Sequence, residues 1–376
     1  MTDAYWPTAE GRLSGGVDLD GREMIMLSSN DYLGLAGDER VLAGARRALD
    51  AHGTGLGLNP SIVLTRVHRE LADELAGYLG CESVLLFNSC AAANCATLQT
   101  LADTPGSTII SDEYNHASIV DGCRLARGRT KVYRHDDLDS LEEQSAGLTS
   151  ADRTIVVTDG VFSMEGSVAR LDELQPLAAR LGADLVVDDS HGIGVIGATG
   201  RGSVEHHGTA AATLRTGTFA KALGAGLGGF LAGPAEVVDE VRSRGRFFIF
   251  TSPMPPASAG AAVAAIRLIR DDQSRLERLR ANVARFRRGM QETGWELLDN
   301  PGPIVPVMLR DDERARRVAA VLRDRGIFTA AFSYPVVPRG TARIRVQISA
   351  AHTDHHLDAA IDAFAEAARL EPDHRS

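Results

Sequence analysis

Lysine is almost missing. Of 40 basic residues 38 are arginine, and only Lys131 and Lys221 carry a side-chain amine, so chemistry that requires one has two candidates. Cysteine is scarce as well. Cys81, Cys90, Cys95 and Cys123 show neither CxxC spacing nor, in 376 residues, the density of a disulfide scaffold. A reducing, cytoplasmic location is expected, and no metal site. No apolar run approaches the ~18 to 20 residues of a membrane helix. The first seven residues hold acid and aromatic side chains where a secretion signal has a basic and then an apolar stretch, so neither export nor membrane insertion is expected. No Lys/Arg cluster stands out, and 50 acidic residues against 40 basic ones would repel a polyanion, which argues against nucleic acid as a partner.

What is present describes a globular chain. Hydrophobic residues make up 44%, charged residues 24%, and the length allows two or three modules with a sizeable core. Short apolar runs at 83–87, 108–111, 131–134, 154–158, 184–188, 214–219 and 229–232 alternate with helical patterns such as 92–102 and 171–181. That alternation predicts an α/β domain with a mainly parallel seven-stranded sheet covered by helices. Pro253, Pro255 and Pro256 interrupt it and open a helical pattern over 257–293. Strands at 304–308 and 343–349 with helices at 313–325 and 354–370 follow. The expected organisation is a short N-terminal segment (1–38), a large α/β domain (39–255), and a linker helix with a small C-terminal α+β domain (256–376).

Gly192-Ile-Gly194-Val-Ile-Gly197 spells the G-x-G-x-x-G of a dinucleotide site, but Asp188 and Asp189 would face the pyrophosphate and no helical pattern follows. The segment suits a protonated heterocycle better. A strand ending in Asp188, with His191 just beyond, sets a carboxylate and an imidazole at the carboxyl edge of the sheet. An opposite charge keeps a pyridinium nitrogen protonated, and pyridoxal phosphate uses such a ring as an electron sink. Lys221, among small and apolar residues directly after a strand, is the Schiff-base candidate, because desolvation lowers an amine's pKa. Lys131, between Arg129 and Arg134, suits a solvated role. Asn88-Ser89-Cys90-Ala91, between a strand and a helix, offers backbone amides to a phosphate, although Ser89 as a plain helix cap explains the same residues.

Asn30-Asp-Tyr-Leu-Gly-Leu, Asn115-His116-Ala-Ser-Ile, Asp159-Gly-Val-Phe-Ser163-Met-Glu-Gly, Asp188-Asp-Ser-His191, Thr218-x-x-Lys221-Ala-Leu-Gly and Thr341-Ala-Arg343-Ile-Arg345 together resemble, in order, the α-oxoamine synthase family. These are fold-type I, aspartate aminotransferase-like pyridoxal phosphate enzymes. Tyr334-Pro-Val-Val-Pro-Arg and Arg345-Val-Gln-Ile-Ser-Ala-Ala-His352 look most like the aminoketobutyrate CoA ligases, or glycine C-acetyltransferases, within it. The resemblance implies Lys221 as the cofactor-bonding lysine, Asp188 at the ring nitrogen, His191 near the ring hydroxyl, His116 on the ring face and Ser163 beside the ring. It implies Ser89, the Cys90 and Ala91 amides and Thr218 at the phosphate, with Thr251 and Ser252 reaching a neighbouring subunit's phosphate in a homodimer that shares its active site. Arg345, assisted by Asn30, would clamp the carboxylate of the amino acid, glycine in the nearest likeness, which is joined to an acyl thioester such as acetyl-CoA or a carrier-protein donor.

Plainer readings stand beside these roles. His116 could be a loop histidine, Ser163 a turn residue and Asn30 an Asx-turn. Arg343 and Arg345 share one strand face by the period of two, so either could pair with an acid. The chain also departs from the family pattern. Only 29 residues precede Asn30, where relatives carry a longer helical segment; Asn59 and Val63 replace an arginine and a glycine; Ala91 replaces an aromatic residue. All three changes touch substrate surroundings and suggest a specialised donor or amino acid. A pyridoxal phosphate lyase cleaving β-hydroxy amino acids, and a catalytically silent cofactor-binding protein, remain open.

Overall fold

The computed structural model describes residues 7–148, 153–209 and 213–372. Two compact units are present: the larger takes in Glu39–Phe162 and Val168–Gln273, and the smaller runs up to Asp38, includes Ser163–Ser167 and resumes from Ser274. The larger unit thus extends through residue 273, not 255.

Its seven-stranded sheet runs in the order Ser83–Phe87, Gly229–Gly233, Leu214–Thr218, Asp184–Asp188, Thr154–Asp159, Thr108–Asp112, Arg129–Tyr133. Only Gly229–Gly233 lies antiparallel to its neighbours; the remaining pairings are parallel. The central strands are apolar runs with both faces covered, as parallel sheets require. Thr154–Asp159 and Gly229–Gly233 are buried at every position. The helix Cys90–Leu101 begins earlier than the apolar pattern suggests, because the Ser89 hydroxyl accepts the Ala92 amide and caps it. It is buried on nearly all sides and packs Ala93, Ala96, Leu98 and Leu101 into one core with Phe87, Ile109, Ile155 and Val186.

The single helix expected over 257–293 is two, Pro256–Asp271 and Ser274–Glu292. Asp272 takes extended dihedrals, and consecutive acids at a helix C-terminus oppose the macrodipole. Pro256–Asp271 packs against Glu39–His52 through small residues. A Cβ on Gly44 would lie 2.5 Å from the Gly260 carbonyl, so the contact exists only because both positions are glycine.

In the smaller unit, Ala9–Glu10, Gly16–Leu19 and Arg22–Met26 form an antiparallel meander, which Ile327–Phe328 joins in parallel. A second sheet orders Ile304–Arg310, Ala342–Gln347 and Ala330–Phe332. Asp312–Asp324 and Asp354–Leu370 supply covering helices, close to the expected ranges. Among the described residues no helix is long and apolar enough to cross a membrane, and none of the four cysteines is in a disulfide.

Candidate active site

Three elements of the larger unit meet at the carboxyl edge of its sheet. Asp188 ends its strand only 5% exposed. Its Oδ1 accepts the Ser190 amide at 3.0 Å, and its Oδ2 accepts Asn94 Nδ2 at 2.7 Å. The Cys90 thiol lies 3.5 Å from both oxygens. Burial, then the Asp188 charge, pushes the Cys90 thiol pKa well up, so it remains a protonated donor and not a nucleophile. Asn94 is fixed in turn by Thr216, whose hydroxyl donates to Asn94 Oδ1 at 2.6 Å. These donors fix both Asp188 oxygens at the sheet edge, the placement that a carboxylate opposite a protonated ring nitrogen requires.

Lys221 follows the strand Leu214–Thr218, and its Nζ lies 2.9 Å from His191 Nε2. The Thr218 hydroxyl donates to the Gly228 carbonyl and accepts the Ala220 amide, which shapes the turn that carries Lys221. His116 caps the helix Ala117–Leu125, its Nδ1 bonded to the Ser118 hydroxyl (2.8 Å) and amide (3.2 Å). Its own amide donates to Asp159. Burial of the surrounding atoms lowers the His116 pKa; the Asp188 charge opposes this and the Lys221 charge reinforces it. Asp159, paired in register with Asp188 on the next strand, is pushed well above the carboxylate range by burial and by its neighbour's charge.

The start of the helix Cys90–Leu101 closes the cluster. Gly229 lets it approach the sheet, since a Cβ there would meet Cys90 N at 2.3 Å. With Ser89 holding the Ala92 amide, the Cys90 and Ala91 amides keep their first-turn positions for an anion. Thr251 and Ser252 are drawn to the same place, because Asn88 Nδ2 donates to Thr251 Oγ1 (2.9 Å) and to the Ser252 carbonyl (3.4 Å). An amine, a donor-rich carboxylate and open helix amides are the groups that an aldehyde, a protonated ring nitrogen and a phosphate require, so these residues fit pyridoxal 5'-phosphate.

The first glycine of the rejected dinucleotide motif lies against a buried acid. A Cβ on Gly192 would come within 1.9 Å of Asp189 Oδ1, and the Ser203 amide donates to Asp189 Oδ2. Lys131 sits on the edge strand Arg129–Tyr133 and donates to the Gln144 carbonyl.

In the smaller unit, Arg343 is paired with Glu165 (2.9 Å) and the Met164 carbonyl (3.1 Å). Arg345 is not. It is 8% exposed, and its Nε and Nη2 have no hydrogen-bond partner among the described residues. Burial lowers its pKa and Tyr32 raises it. Asn30 Oδ1 accepts Tyr32 Oη (3.2 Å) and Gln347 Nε2 (2.5 Å). Ser163 opens the short 163–167 stretch of this unit. Asn59 accepts the Ser61 hydroxyl in a turn, while Val63 and Ala91 are exposed.

Sequence reasoning passed over Asn94, Thr216, Ser118 and Gln347. Asn94 carried a signal: an asparagine inside an otherwise apolar helix has poor propensity and needs buried partners.

A family model described as aminotransferase class I and II matches residues 22–364. The 8-amino-7-oxononanoate synthase of Methylococcus capsulatus is 41% identical over 354 residues, covering 93% of this chain and 91% of that protein. That of Fervidobacterium nodosum is 38% identical over 362 residues, covering 95% and 91%. Among solved structures, serine palmitoyltransferase from S. paucimobilis with a bound PLP–myriocin aldimine superposes with a TM-score of 0.93 at 30% identity, covering 98% of this chain and 94% of that one. The Sphingomonas wittichii enzyme gives 0.94 at 29%, covering 98% and 93%.

Proposed function

The chain belongs to the aminotransferase class I and II family and, within it, to the pyridoxal 5'-phosphate-dependent α-oxoamine synthases, which condense an amino acid with an acyl thioester, and we propose that its amino acid is glycine. The observation that carries the reaction class is the cluster of Lys221, His191 and Asp188 at one sheet edge. Glycine, with a short acyl donor, rests on the likeness of Tyr334 to Arg339 and Arg345 to His352 to the aminoketobutyrate CoA ligases.

Bound cofactor supplies a protonated ring that withdraws electrons from the amino acid's α carbon. Lys221 would hold its aldehyde, Asp188 its ring nitrogen and His191 its ring hydroxyl. His116 would cover a ring face, with Ser163 beside the ring, while Ser89, the Cys90 and Ala91 amides and Thr218 would hold the phosphate. Once the amino group of the substrate has displaced it from the aldehyde, the freed Lys221 amine would take the α proton, with His191 2.9 Å away to stabilise the charge that results. Arg345 would receive the substrate carboxylate through the Nε and Nη2 donors that lack partners, steadied by Asn30. Cytoplasmic location and a homodimer complete the proposal. Exposed Ile62 (65%) and Phe250 (73%) favour a second copy, which Thr251 and Ser252 would reach.

Assay of the purified protein with glycine, serine and alanine against acetyl-CoA and longer thioesters tests this. Release of thiol with glycine and acetyl-CoA is expected. Aldehyde release from threonine without a thioester would move the assignment to the lyase, and turnover only with another amino acid would overturn glycine.

A further inference from the structure

Asn94, which none of the cofactor roles above employs, has both its amide hydrogens committed. One Nδ2 hydrogen goes to Asp188 Oδ2 at 2.7 Å, the other to the Ser118 hydroxyl at 2.9 Å, while Oδ1 accepts from Thr216. The amide cannot turn over, because that would set its oxygen against a carboxylate. Ser118 Oγ is therefore an acceptor towards Asn94, and its one hydrogen is left for His116 Nδ1, 2.8 Å away. The Ser118 backbone amide aims at the same nitrogen at 3.2 Å. With the amide hydrogen aimed at its one lone pair, Nδ1 is an acceptor and carries no proton of its own.

We propose that Asn94 and Ser118 are positioning residues that hold His116 as the neutral imidazole with its hydrogen on Nε2. The charged and titratable groups facing His116 are Asp188, Asp159 and Lys221. Asp188 alone would draw a proton onto the ring. The Asn94–Ser118 chain turns that same carboxylate to the opposite purpose, since Asp188 orients the amide that orients the serine. A cationic imidazolium would repel a protonated pyridine ring, so a neutral His116 and a carboxylate at Asp188 serve one end, and a single asparagine orients both. What His116 faces rests on the proposed cofactor site; its tautomer does not.

The test is nitrogen NMR of the full-length, cofactor-loaded protein labelled with 15N-histidine, the His116 signals being identified by their loss in His116→Gln. Expected are an acceptor-type Nδ1 and a hydrogen-bearing Nε2, with a protonation midpoint below the ordinary histidine value of about 6.5. Ser118→Ala should move the midpoint upward and mix the two tautomers. Ser118→Thr should restore the native pattern, and Asn94→Ala should shift the midpoint in the same direction as Ser118→Ala but by less. A native His116 carrying its hydrogen on Nδ1, or a Ser118→Ala variant that titrates as the native protein does, would overturn the proposal. Loss of the cofactor's visible absorption with the His116 pattern intact would count against the proposed function and leave this inference standing.

Discussion

Asp188 in the larger unit and Arg345 in the smaller are both buried charges, and they are treated in opposite ways. Asp188 is surrounded by donors from Asn94, Ser190 and Cys90. Arg345 keeps two guanidinium nitrogens without partners, although in Arg343, two positions earlier on the same strand, Nη1 donates to Glu165 and the Met164 carbonyl and Nε to the Thr341 carbonyl. A buried unpaired donor costs about 1 to 3 kcal/mol. The contrast separates a carboxylate held on both oxygens by its own chain from a guanidinium with donors left over, which under the proposed function would receive the substrate carboxylate. Unmet donors make the arrival of a carboxylate more favourable, because the penalty is already present before binding.

The comparison breaks most severely at Lys221, the amine that Asp188 and His191 accompany. Lys221→Ala is expected to lower turnover by roughly 10³-fold or more, measured as thiol release at saturating substrates. Arg345→Lys sharpens the other half: a point charge replaces a planar fork, and KM for the amino acid should rise by about 10 to 100-fold with kcat within a few-fold. An equal fall in kcat would show that Arg345 acts beyond carboxylate binding.

His352 provides the most local test, as a fully partnered group in the same unit as Arg345. Its Nδ1 accepts the Ser349 amide and its Nε2 donates to the Met26 carbonyl, both at 3.0 Å, an arrangement that requires a neutral ring. Burial depresses its pKa to about 4. A depressed folded-state pKa means that its contribution is complete above the ordinary value of about 6.5 and is lost as pH falls through about 4. Denaturant titrations should lose on the order of 3 kcal/mol across that window. His352→Gln should flatten the slope.

Much of this was legible in the sequence because it depends on neighbours along the chain. Strand ends at Asp188 and before Lys221 follow from apolar runs closed by polar residues, and the scarcity of lysine narrows the amine to two. The choice between Arg343 and Arg345 was less legible. Glu165, which occupies Arg343, is 178 residues away, and only the folded chain shows which arginine is left wanting. Asn94 was hidden for a related reason: inside an apolar helix its periodicity says core, while its partners, Asp188 and Thr216, lie on two different strands. The break at Asp272 was missed because the apolar spacing continues across it, and backbone geometry at a helix end leaves little mark on such a pattern.

Borohydride reduction of the cofactor-loaded protein, followed by peptide mapping, tests the central assignment most directly. A single pyridoxyl tag on Lys221 is expected. A tag on Lys131, or on neither lysine, would contradict it.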